Sequence, residues 1–357
     1  MEEKQPTIYD VAKKAGVSIA TVSRGLSGGS ISAASLRKVE DAAKELGYRP
    51  VSALRAENES RPSKRTVAIV LSSVSNPYNA SMLQGAAEHA LNNGFLPQLY
   101  YYPDSTTTCE RVVEDLLDQQ PAGVMLAGFT LEDGLTQDIS AQLTRLRQAM
   151  PLVAIGPPIE GFDCPRLTSD PAACVRKAVR HLAQLGHRRI AMIGGSRGVR
   201  FSDLRERAFY EEVAAVSGPV PPAYVQLTGF TAQAGKIGVN LMLGGCGEEL
   251  PPPTAIFAIN DLAAMGAMQQ LQSAGLRIPE DVSIIGCDND FFAPYLNPPL
   301  STVDLHPSLH GEQAMACLMI AIGGGNPYSF DSVCECSLII RDSCAAVPAK
   351  EASKDGI

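Results

Sequence analysis

The sequence predicts a small all-α headpiece followed by a larger α/β core of two lobes, in which helices cover parallel sheets. Residues 7–50 contain three short amphipathic helical patterns. From Thr66 onward, apolar runs alternate with amphipathic helices in two successive series, which is typical of parallel strands buried on both faces. Residues 51–65 between the two regions are polar and charged, which is typical of a linker.

The first two helices of the headpiece are predicted on either side of a tight turn. Gly16 ends a first helix whose apolar face is formed by residues at helical spacing: Ile8, Val11, Ala12 and Ala15. Ser18 is expected to cap the second helix, because its hydroxyl can accept a bond from a free amide of the first turn. Val22 and Leu26 lie four residues apart and face back onto the first helix.

Ala20 and Arg24, also four apart, face away from the first helix. A third helix is predicted from about Ser32 to Leu46, ending at Gly47, with an apolar face formed by Leu36, Val39, Ala43 and Leu46. Two short helices around a turn, braced by a third, form a helix-turn-helix whose second helix fits the DNA major groove. From spacing alone, a small helical bundle used for protein contact stays open as an alternative.

Four motifs narrow the choice: Ile8-Tyr9-Asp10-Val11-Ala12, Ala15-Gly16-Val17-Ser18, Thr21-Val22-Ser23-Arg24 and Leu46-Gly47-Tyr48-Arg49-Pro50. They closely resemble the headpiece of the LacI/GalR family of bacterial transcription regulators. The resemblance implies that the headpiece binds operator DNA through Thr7, Tyr9, Ser18, Ile19, Ala20, Thr21, Ser23 and Arg24. Charge supports this, because residues 1–65 carry a net charge of +4 and the remainder −12.

In this family the segment after the headpiece folds into a hinge helix on DNA, with an apolar wedge in the minor groove. By register the wedge position is occupied here by Glu57, whose carboxylate would meet phosphate repulsion. Either Leu54 serves in a shifted register, beside Arg55 as a further DNA contact, or the hinge of this protein does not intercalate.

The strands of the core are predicted at Val67–Leu71, Leu96–Tyr101, Gly123–Leu126, Leu152–Ile155, Arg189–Ile193, Tyr224–Leu227, Ala255–Ile259 and Val282–Ile285. Helices fit between them at Ser81–Asn92, Cys109–Gln119, Pro171–Leu185, Ala232–Leu243 and Leu262–Ala274. A helix near Ser308–Ile322 is expected to return to the first lobe, and Ser337–Ser343 to supply a last strand. The predicted ranges are 1–50 for the headpiece, 51–65 for the linker, 66–345 for the core and 346–357 for a tail. Within the core, the first lobe takes about 66–160 plus 297–323, and the second about 161–296 plus 324–345.

The core carries further motifs, among them Ser75-Asn76-Pro77-Tyr78, Leu185-Gly186-His187-Arg188-Arg189-Ile190, Asn260-Asp261 and Ile285-Gly286-Cys287-Asp288-Asn289. They resemble the periplasmic-binding-protein-like core of the same family. In two-lobed α/β folds, ligands bind between the lobes where loops leave the carboxyl ends of strands. The resemblance implies a small-molecule effector contacted by Tyr78, Asn79, Arg207, Phe230 and Asp288. Packing by Tyr78, pairing of Arg207 with Glu206 or Glu211, and a turn at Asp288 are the structural alternatives.

The chain departs from the family pattern at Gly156, at Ser169 and at Tyr210-Glu211, which stands where a Gly-aromatic pair is usual. Gly194–Gly198 lacks both the P-loop Lys-Ser/Thr and the GxGxxG spacing, so a strand-to-helix turn is predicted there. The isolated histidines His187, His306 and His310 are expected to be structural. Nine cysteines without CxxC pairs indicate reduced, mostly buried thiols.

The sequence thus predicts a transcriptional regulator, a repressor, that binds a pseudo-palindromic operator as a homodimer or higher oligomer and senses a small polar effector, a carbohydrate or related metabolite. No catalytic constellation, metal site or cofactor is expected. The polar, acidic start and the lack of a long apolar run predict a cytoplasmic protein without membrane contact. The resemblance implies a bacterial protein that is associated with the nucleoid when it is bound to its operator. A solute-binding protein is the second alternative, since the core alone is compatible with it, but the headpiece in residues 1–50 argues against this function. An α/β enzyme is the third alternative.

Overall fold

The computed structural model describes residues 8–18, 21–22, 24, 31–46, 65–71, 73–101, 106–127, 137–156, 161–327 and 333–347. The chain forms two compact units, Met1–Lys64 and Arg65–Ile357. The predicted linker therefore lies almost entirely outside the described residues, as does the predicted tail beyond residue 347.

In the first unit, α1 (Ile8–Ala15) and α2 (Ala33–Leu46) are described as whole helices. Gly16 follows α1 with a φ of 64°, a conformation that favours glycine and ends the helix as predicted. Val22 is fully buried in an apolar core whose other buried members are Val11, Ala12, Val39, Ala42 and Ala43. At the surface, an ion pair of 2.6 Å between Lys14 and Glu45 joins α1 to α2.

Over its described residues, the second unit contains two six-stranded sheets. The first sheet has the order β11-β5-β4-β3-β1-β2 and is parallel throughout. Its strands are β1 (Thr66–Leu71), β2 (Leu96–Tyr101), β3 (Val124–Ala127), β4 (Leu152–Ile155), β5 (Arg166–Ser169) and β11 (Val333–Cys334). Its helices are α3 (Pro77–Asn92), α4 (Thr106–Gln119), α5 (Gln137–Ala149) and α10 (Pro307–Ile322).

The apolar run of β1 is buried on both faces. Ala68 and Val70 pack on the side covered by α4 and α5, whereas Val67, Ile69 and Leu71 pack on the side of α3 and α10. This is why the strand reads as a continuous apolar run and not as an alternating one. Helix α10 lies against α3, so the predicted return of the chain to the first lobe is confirmed.

The second sheet has the order β12-β10-β9-β8-β6-β7, and only β12 runs antiparallel to its neighbour. Its strands are β6 (Ile190–Ile193), β7 (Val225–Gln226), β8 (Ala255–Ala258), β9 (Ser283–Cys287), β10 (Ser301–Asp304) and β12 (Ser337–Ile339). The helices that cover it are α6 (Pro171–Gln184), α7 (Arg200–Ser217), α8 (Ala232–Gly244) and α9 (Asp261–Ser273). Predicted and observed bounds of the strands and helices differ mostly by one to four residues at either end.

Three strands correct the predicted lobe boundaries. The predicted ranges assign β5 and β11 to the second lobe and β10 to the first, but β5 and β11 pair in the first sheet and β10 pairs in the second. The chain therefore crosses between the lobes after β5, after β10 and between β11 and β12. These strands are only two to four residues long and stand next to the crossings, so their sequence contains no run that marks the change.

Helix pairs in both lobes approach closely through glycine. A Cβ at Gly85 or Gly311 would overlap a backbone carbonyl of the partner helix in the α3–α10 pair, and the same holds for Gly235 and Gly266 in the α8–α9 pair. Glycine is therefore required at these four positions by the distance between helix backbones.

The cysteines that the structure describes are free thiols, as predicted: Cys164, Cys174, Cys246, Cys287, Cys317, Cys336 and Cys344. Five of them are buried. Within the described ranges, no helix has both the length and the hydrophobicity needed to span a bilayer.

Candidate DNA-binding segment and effector site

The predicted cap of the second headpiece helix, which follows Ser18 and lies between α1 and α2 in the sequence, is confirmed. The amide of Thr21 donates to Ser18 Oγ at 3.1 Å, and the amide of Val22 donates to the Ser18 carbonyl oxygen at 3.0 Å. Because Val22 is buried, the helix has one face fixed in the core. Arg24, two residues further, is exposed, as expected for a residue on the opposite face.

Several of the predicted DNA contacts cannot be placed. Thr7, Ile19, Ala20, Ser23, Leu54 and Arg55 lie outside the described residues, and so does the side chain of Tyr9. Ser18, Thr21 and Arg24 are the three that the structure describes.

In the second lobe, the buried arginine of α7 is Arg205. Only 6% of its surface is exposed, and its Nη1 donates to the carbonyl oxygen of Ile259 at 2.7 Å. The guanidinium carbon lies 5.4 Å from the centre of the Phe201 ring, one helical turn earlier. Phe201 in turn packs against Phe230, with ring centres 5.3 Å apart. Phe230, predicted as an effector contact, therefore belongs to an aromatic wall beside Arg205.

Arg207 corrects the sequence prediction. Its side chain is 78% exposed and pairs with Glu211 at 2.9 Å, so it lies on the outer face of α7. Two positions correspond to about 200° around a helix, which places Arg205 and Arg207 on opposite faces. The same register applies to the next residues: Ala208 and Phe209 are buried, whereas Tyr210 and Glu211 are exposed. The Gly-aromatic pair that is usual in the family therefore corresponds to Ala208-Phe209 and not to Tyr210-Glu211, so the departure from the family pattern lies at Ala208-Phe209.

Asp288 follows the last residue of β9 and is buried. Its amide donates to the carbonyl oxygen of Val303 at 2.8 Å, and its φ of 118° is rare for a residue with a side chain. Burial raises the pKa of Asp288 well above its usual range, although the charge of Arg205 acts in the opposite direction. A carboxyl held in this way can donate or accept hydrogen bonds, depending on the ligand.

Two further buried carboxyls lie near Asp288. Asp261 accepts bonds from Thr302 Oγ1 at 2.6 Å and from the amide of Asp290 at 2.8 Å, and burial raises its pKa to about 7. Burial also raises the pKa of Asp290 to about 6, and its Oδ2 has no hydrogen-bond partner among the described residues. The prediction omits both residues as site residues, although Asn260-Asp261 is one of the core motifs.

From the first lobe, Tyr78 reaches this cluster. Its ring packs against the apolar cores of both lobes, and its Oη lies 3.2 Å from Nδ1 of His310 on α10. Asn79 is buried, but its Nδ2 donates to the carbonyl oxygen of Ser73 at 2.9 Å, which favours a structural role. Tyr78 is therefore the first-lobe residue that the structure brings to the second-lobe cluster.

The electrostatics of Arg205 agree with this arrangement. Burial would lower the pKa of Arg205, but neighbouring groups more than offset burial and the pKa is raised. The groups responsible, in order of effect, are Cys174, Cys287, Asp288 and Tyr78. One buried cation is therefore surrounded by side chains from both lobes. Its Nε has no hydrogen-bond partner among the described residues.

The histidine predictions agree with the geometry. Both ring nitrogens of His187 are bonded, Nδ1 to Thr254 Oγ1 at 2.9 Å and Nε2 to the Ala345 carbonyl oxygen at 3.0 Å. His306 bonds Ser337 Oγ at 2.9 Å, next to a lobe crossing. Over the described ranges, no group of three or more His, Cys, Asp or Glu side chains is arranged to hold a metal ion.

Comparison with known proteins decides the family. Residues 7–51 match the family model for bacterial regulatory proteins of the lacI family, and residues 179–344 match that for the periplasmic binding protein-like domain. The chain is 30% identical over 349 residues to the HTH-type transcriptional repressor CytR of Escherichia coli (strain K12), which covers 97% of this chain and 98% of the relative. The chain belongs to the LacI family of bacterial regulatory proteins.

Solved structures agree with this assignment. A transcriptional regulator CelR–cellobiose complex has a TM-score of 0.68 and 28% identity to this LacI-family chain, and covers 95% of it and 99% of its own chain. The lac repressor dimer bound to operator and an anti-inducer has a TM-score of 0.70 and 25% identity, covering 96% and 100%. The predicted fold class is confirmed, and the relatives are transcription regulators, not enzymes.

Proposed function

We propose that this LacI-family protein is a sequence-specific transcriptional repressor whose operator affinity is set by a small polar effector bound between the lobes of its core. The convergence of Arg205 and Asp288 from the second lobe with Tyr78 from the first supports this most strongly. A ligand that contacts both lobes favours one lobe arrangement over another.

The chemistry of the cluster supports a hydroxyl-rich effector, a carbohydrate or a related polar metabolite. Asp288 can accept or donate to a hydroxyl, and the Arg205 Nε supplies a buried donor. The Phe201–Phe230 pair offers an apolar face of the kind on which a flat ring stacks. The structural relative CelR is in complex with cellobiose, which is a carbohydrate and so belongs to this chemical class.

The described part of the headpiece supports DNA binding through the second helix. Ser18 and Val22 fix its cap and its inner face, and Arg24 lies on the outer face. An arginine there can bond a guanine edge bidentately, so Arg24→Ala is expected to cost about 1–3 kcal/mol on the cognate site and to relax specificity. Equal weakening on all sequences would instead make Arg24 a phosphate contact. In the hinge, Leu54 with Arg55 stays the proposed wedge region.

Exposed apolar side chains support a homodimer. On the first lobe, Leu96, Leu99 and Tyr101 of the edge strand β2 are about half exposed. On the second lobe, Phe291 and Tyr295 are 77% and 84% exposed. Apolar surface of this extent marks contact with another molecule, and a two-fold dimer would read a pseudo-palindromic operator in the bacterial cytoplasm.

The covalent order of the chain supports the coupling between effector and operator. The linker leads directly into β1 of the first lobe, so a change in the lobe arrangement is transmitted to the two headpieces of a dimer. The effector can shift this equilibrium only by its differential affinity for the two arrangements, typically about 1–3 kcal/mol.

A thermal-stabilisation screen against sugars, polyols, purines and nucleosides tests the effector site, because a ligand that binds only the folded state raises its melting temperature. The hit is then titrated against Asp288→Asn, with Arg207→Gln as the matched surface control. We expect the stabilisation to be lost in the first variant and kept in the second. Equal stabilisation of both variants would place the effector elsewhere.

A further inference from the structure

One crossing between the lobes is held by a histidine. His306 stands between β10 of the second lobe and α10 of the first, immediately before the helix begins. Its amide donates to Asp304 Oδ1 at 2.6 Å, and its Nδ1 lies 3.4 Å from Asp304 Oδ2, on the last residue of β10. Its Nε2 lies 2.9 Å from Ser337 Oγ, on the first residue of β12. The start of a first-lobe helix is therefore bonded to two strands of the second lobe.

The same contact connects two of the three crossings. Asp304 and Ser337 are partners in the antiparallel pairing of β10 with β12, so the two crossings lie side by side at the edge of the second sheet. A rotation of one lobe against the other must change the backbone angles of these segments, because the chain passes between the lobes there. The bond between His306 and Ser337 opposes such a change, since it ties the two segments together.

Asn289 links this contact to the effector site. Its Nδ2 donates to Asp304 Oδ2 at 2.9 Å, and its Oδ1 accepts from Arg341 Nη2 at 2.7 Å. Asn289 directly follows Asp288, the buried carboxyl that is predicted to contact the effector. The side chain that follows Asp288 therefore holds the same carboxylate that holds His306.

The backbone is unusual at both ends of this link. Of the residues that the structure describes, four that are not glycine have a positive φ, and three of the four lie here: Asp288 at 118°, Asn289 at 56° and His306 at 53°. A Cβ makes such conformations unfavourable, so they persist where surrounding contacts fix them. The hydrogen bonds of Asp304 supply such contacts for both Asn289 and His306.

On the first-lobe side, the contact leads back to the effector site through α10. The carbonyl oxygen of His306 accepts from the amide of His310, whose ring bonds Tyr78 of α3. Helices α10 and α3 pack so closely that a Cβ at Gly85 or Gly311 would overlap the backbone of the partner helix. The start of α10 is thus fixed to the body of the first lobe, and a bond made there acts on the whole lobe.

We propose that these side chains form a latch that stabilises the described lobe arrangement. The latch consists of Asn289, Asp304, His306 and Ser337. It holds the start of α10 against the ends of β10 and β12, so the angle between the lobes is kept. A ligand that turns Asp288 also turns Asn289, so the latch connects the effector site to the lobe angle, a consequence that rests on the proposed function. The latch itself requires neither effector nor DNA.

The test measures the lobe arrangement directly, in the full-length protein without DNA or effector. Nitroxide labels are attached to p-acetylphenylalanine introduced in place of Gln148 on α5 and Ala215 on α7, two exposed residues on different lobes. This chemistry leaves the native thiols unlabelled. Labelled chains are diluted with unlabelled chains, so pulsed electron paramagnetic resonance reports the distance between the two lobes of one chain.

The parent is expected to show one main distance. Ser337→Ala should raise the ratio of a second distance to the main one by about two- to tenfold, the range expected for the loss of one hydrogen bond. His306→Gly combined with Asn289→Gly removes further latch bonds but permits both left-handed conformations, and should raise this ratio more. Two controls should match the parent: Ser273→Ala, which removes a hydroxyl bond within α9, and Gln120→Gly, at the fourth positive φ.

An unchanged distance distribution in the folded double glycine variant would overturn the inference, because the bonds would then only cap the ends of β10 and α10. An equal shift in Gln120→Gly would overturn it as well, since added backbone freedom would explain the change. Circular dichroism establishes that each variant is folded, and Ser337→Ala decides the matter if the double variant is not. Operator binding is measured separately, so failure of the proposed function and failure of the latch are distinguished.

Discussion

Two arginines of α7, two positions apart, occupy opposite environments. Arg205 is a buried cation among acidic and thiol groups, and Arg207 is a surface cation paired with Glu211. Sequence resemblance alone selects Arg207, because Arg205-Glu206-Arg207 offers two candidates and the register is ambiguous, whereas the arginine that the structure buries is Arg205. The aromatic residues on the same helix face resolve it: Phe201, over whose ring the guanidinium lies, is four residues before Arg205, and the buried Phe209 is four residues after it.

Arg205→Gln is therefore expected to reduce effector affinity by about tenfold or more, since a hydrogen bond to a charged group is worth about 1.5–3 kcal/mol. Arg207→Gln should leave effector affinity unchanged and alter the unfolding free energy by less than about 1 kcal/mol, as is usual for exposed ion pairs. Isothermal titration calorimetry with the ligand found by the stabilisation screen checks both. A large loss of effector affinity in Arg207→Gln, with none in Arg205→Gln, would favour Arg207, the residue selected from the sequence.

His310 predicts a pH dependence of stability. Burial lowers its pKa to about 4 in the folded protein, against an ordinary value of 6.5. Between these values the unfolded chain binds a proton that the folded chain does not, so stability falls as the pH drops from 6.5 to 4. The contribution of His310 reaches roughly 3 kcal/mol at most.

Replacing His310 by Leu should make the loss of melting temperature between about pH 7 and pH 4.5 smaller than in the parent. His89→Gln, a change on α3 outside this contact, is the control and should retain the parental loss. Melting curves across this range measure the difference. An identical loss in the parent and the His310 variant would contradict a buried neutral imidazole.

At the scale of elements, the sequence predicts most of the fold because each buried strand is a continuous apolar run. Leu152–Ile155, which is buried along its whole length, is found at the predicted bounds. The short strands at the lobe crossings could not be placed, since their lobe depends on long-range pairing that leaves no local pattern. The site is predictable only in part. Asp261 and Asp290 also stand at strand exits, but only the tertiary structure shows that they are buried near Asp288, and His310 meets Tyr78 only through a tertiary contact.

The close approach of α8 and α9 gives a prediction about glycine. Gly235→Ala should lower the unfolding free energy by about 1–3 kcal/mol, because the new methyl group overlaps the carbonyl of Ala263 and forces the helices apart. Gly244→Ala on the same helix meets no atom within 4 Å, and should be neutral or stabilise by up to about 1 kcal/mol. Denaturant titration of both variants measures the pair. Equal effects of the two substitutions on the unfolding free energy would show that helix propensity, and not the contact between α8 and α9, decides the cost of replacing Gly235.

At the scale of the whole molecule, function depends on charge and symmetry. The basic residues 1–65 and the acidic remainder give the chain one region that attracts phosphate and another that repels it. A dimer brings two headpieces to DNA, so the operator should be pseudo-palindromic, with half-sites separated by about one helical turn or a multiple of it. A solute-binding protein or an enzyme with the same core would show neither property.

The most direct measurement is selection of DNA from a random pool by the full-length protein, followed by binding isotherms across salt concentrations. The account predicts enrichment of one pseudo-palindromic sequence. Its affinity should fall by roughly a thousandfold or more between about 50 and 200 mM salt, as expected when several phosphates are neutralised. Addition of the effector found by the stabilisation screen should shift this affinity by the coupling free energy. A pool without an enriched palindrome, or an affinity independent of salt, would contradict the account.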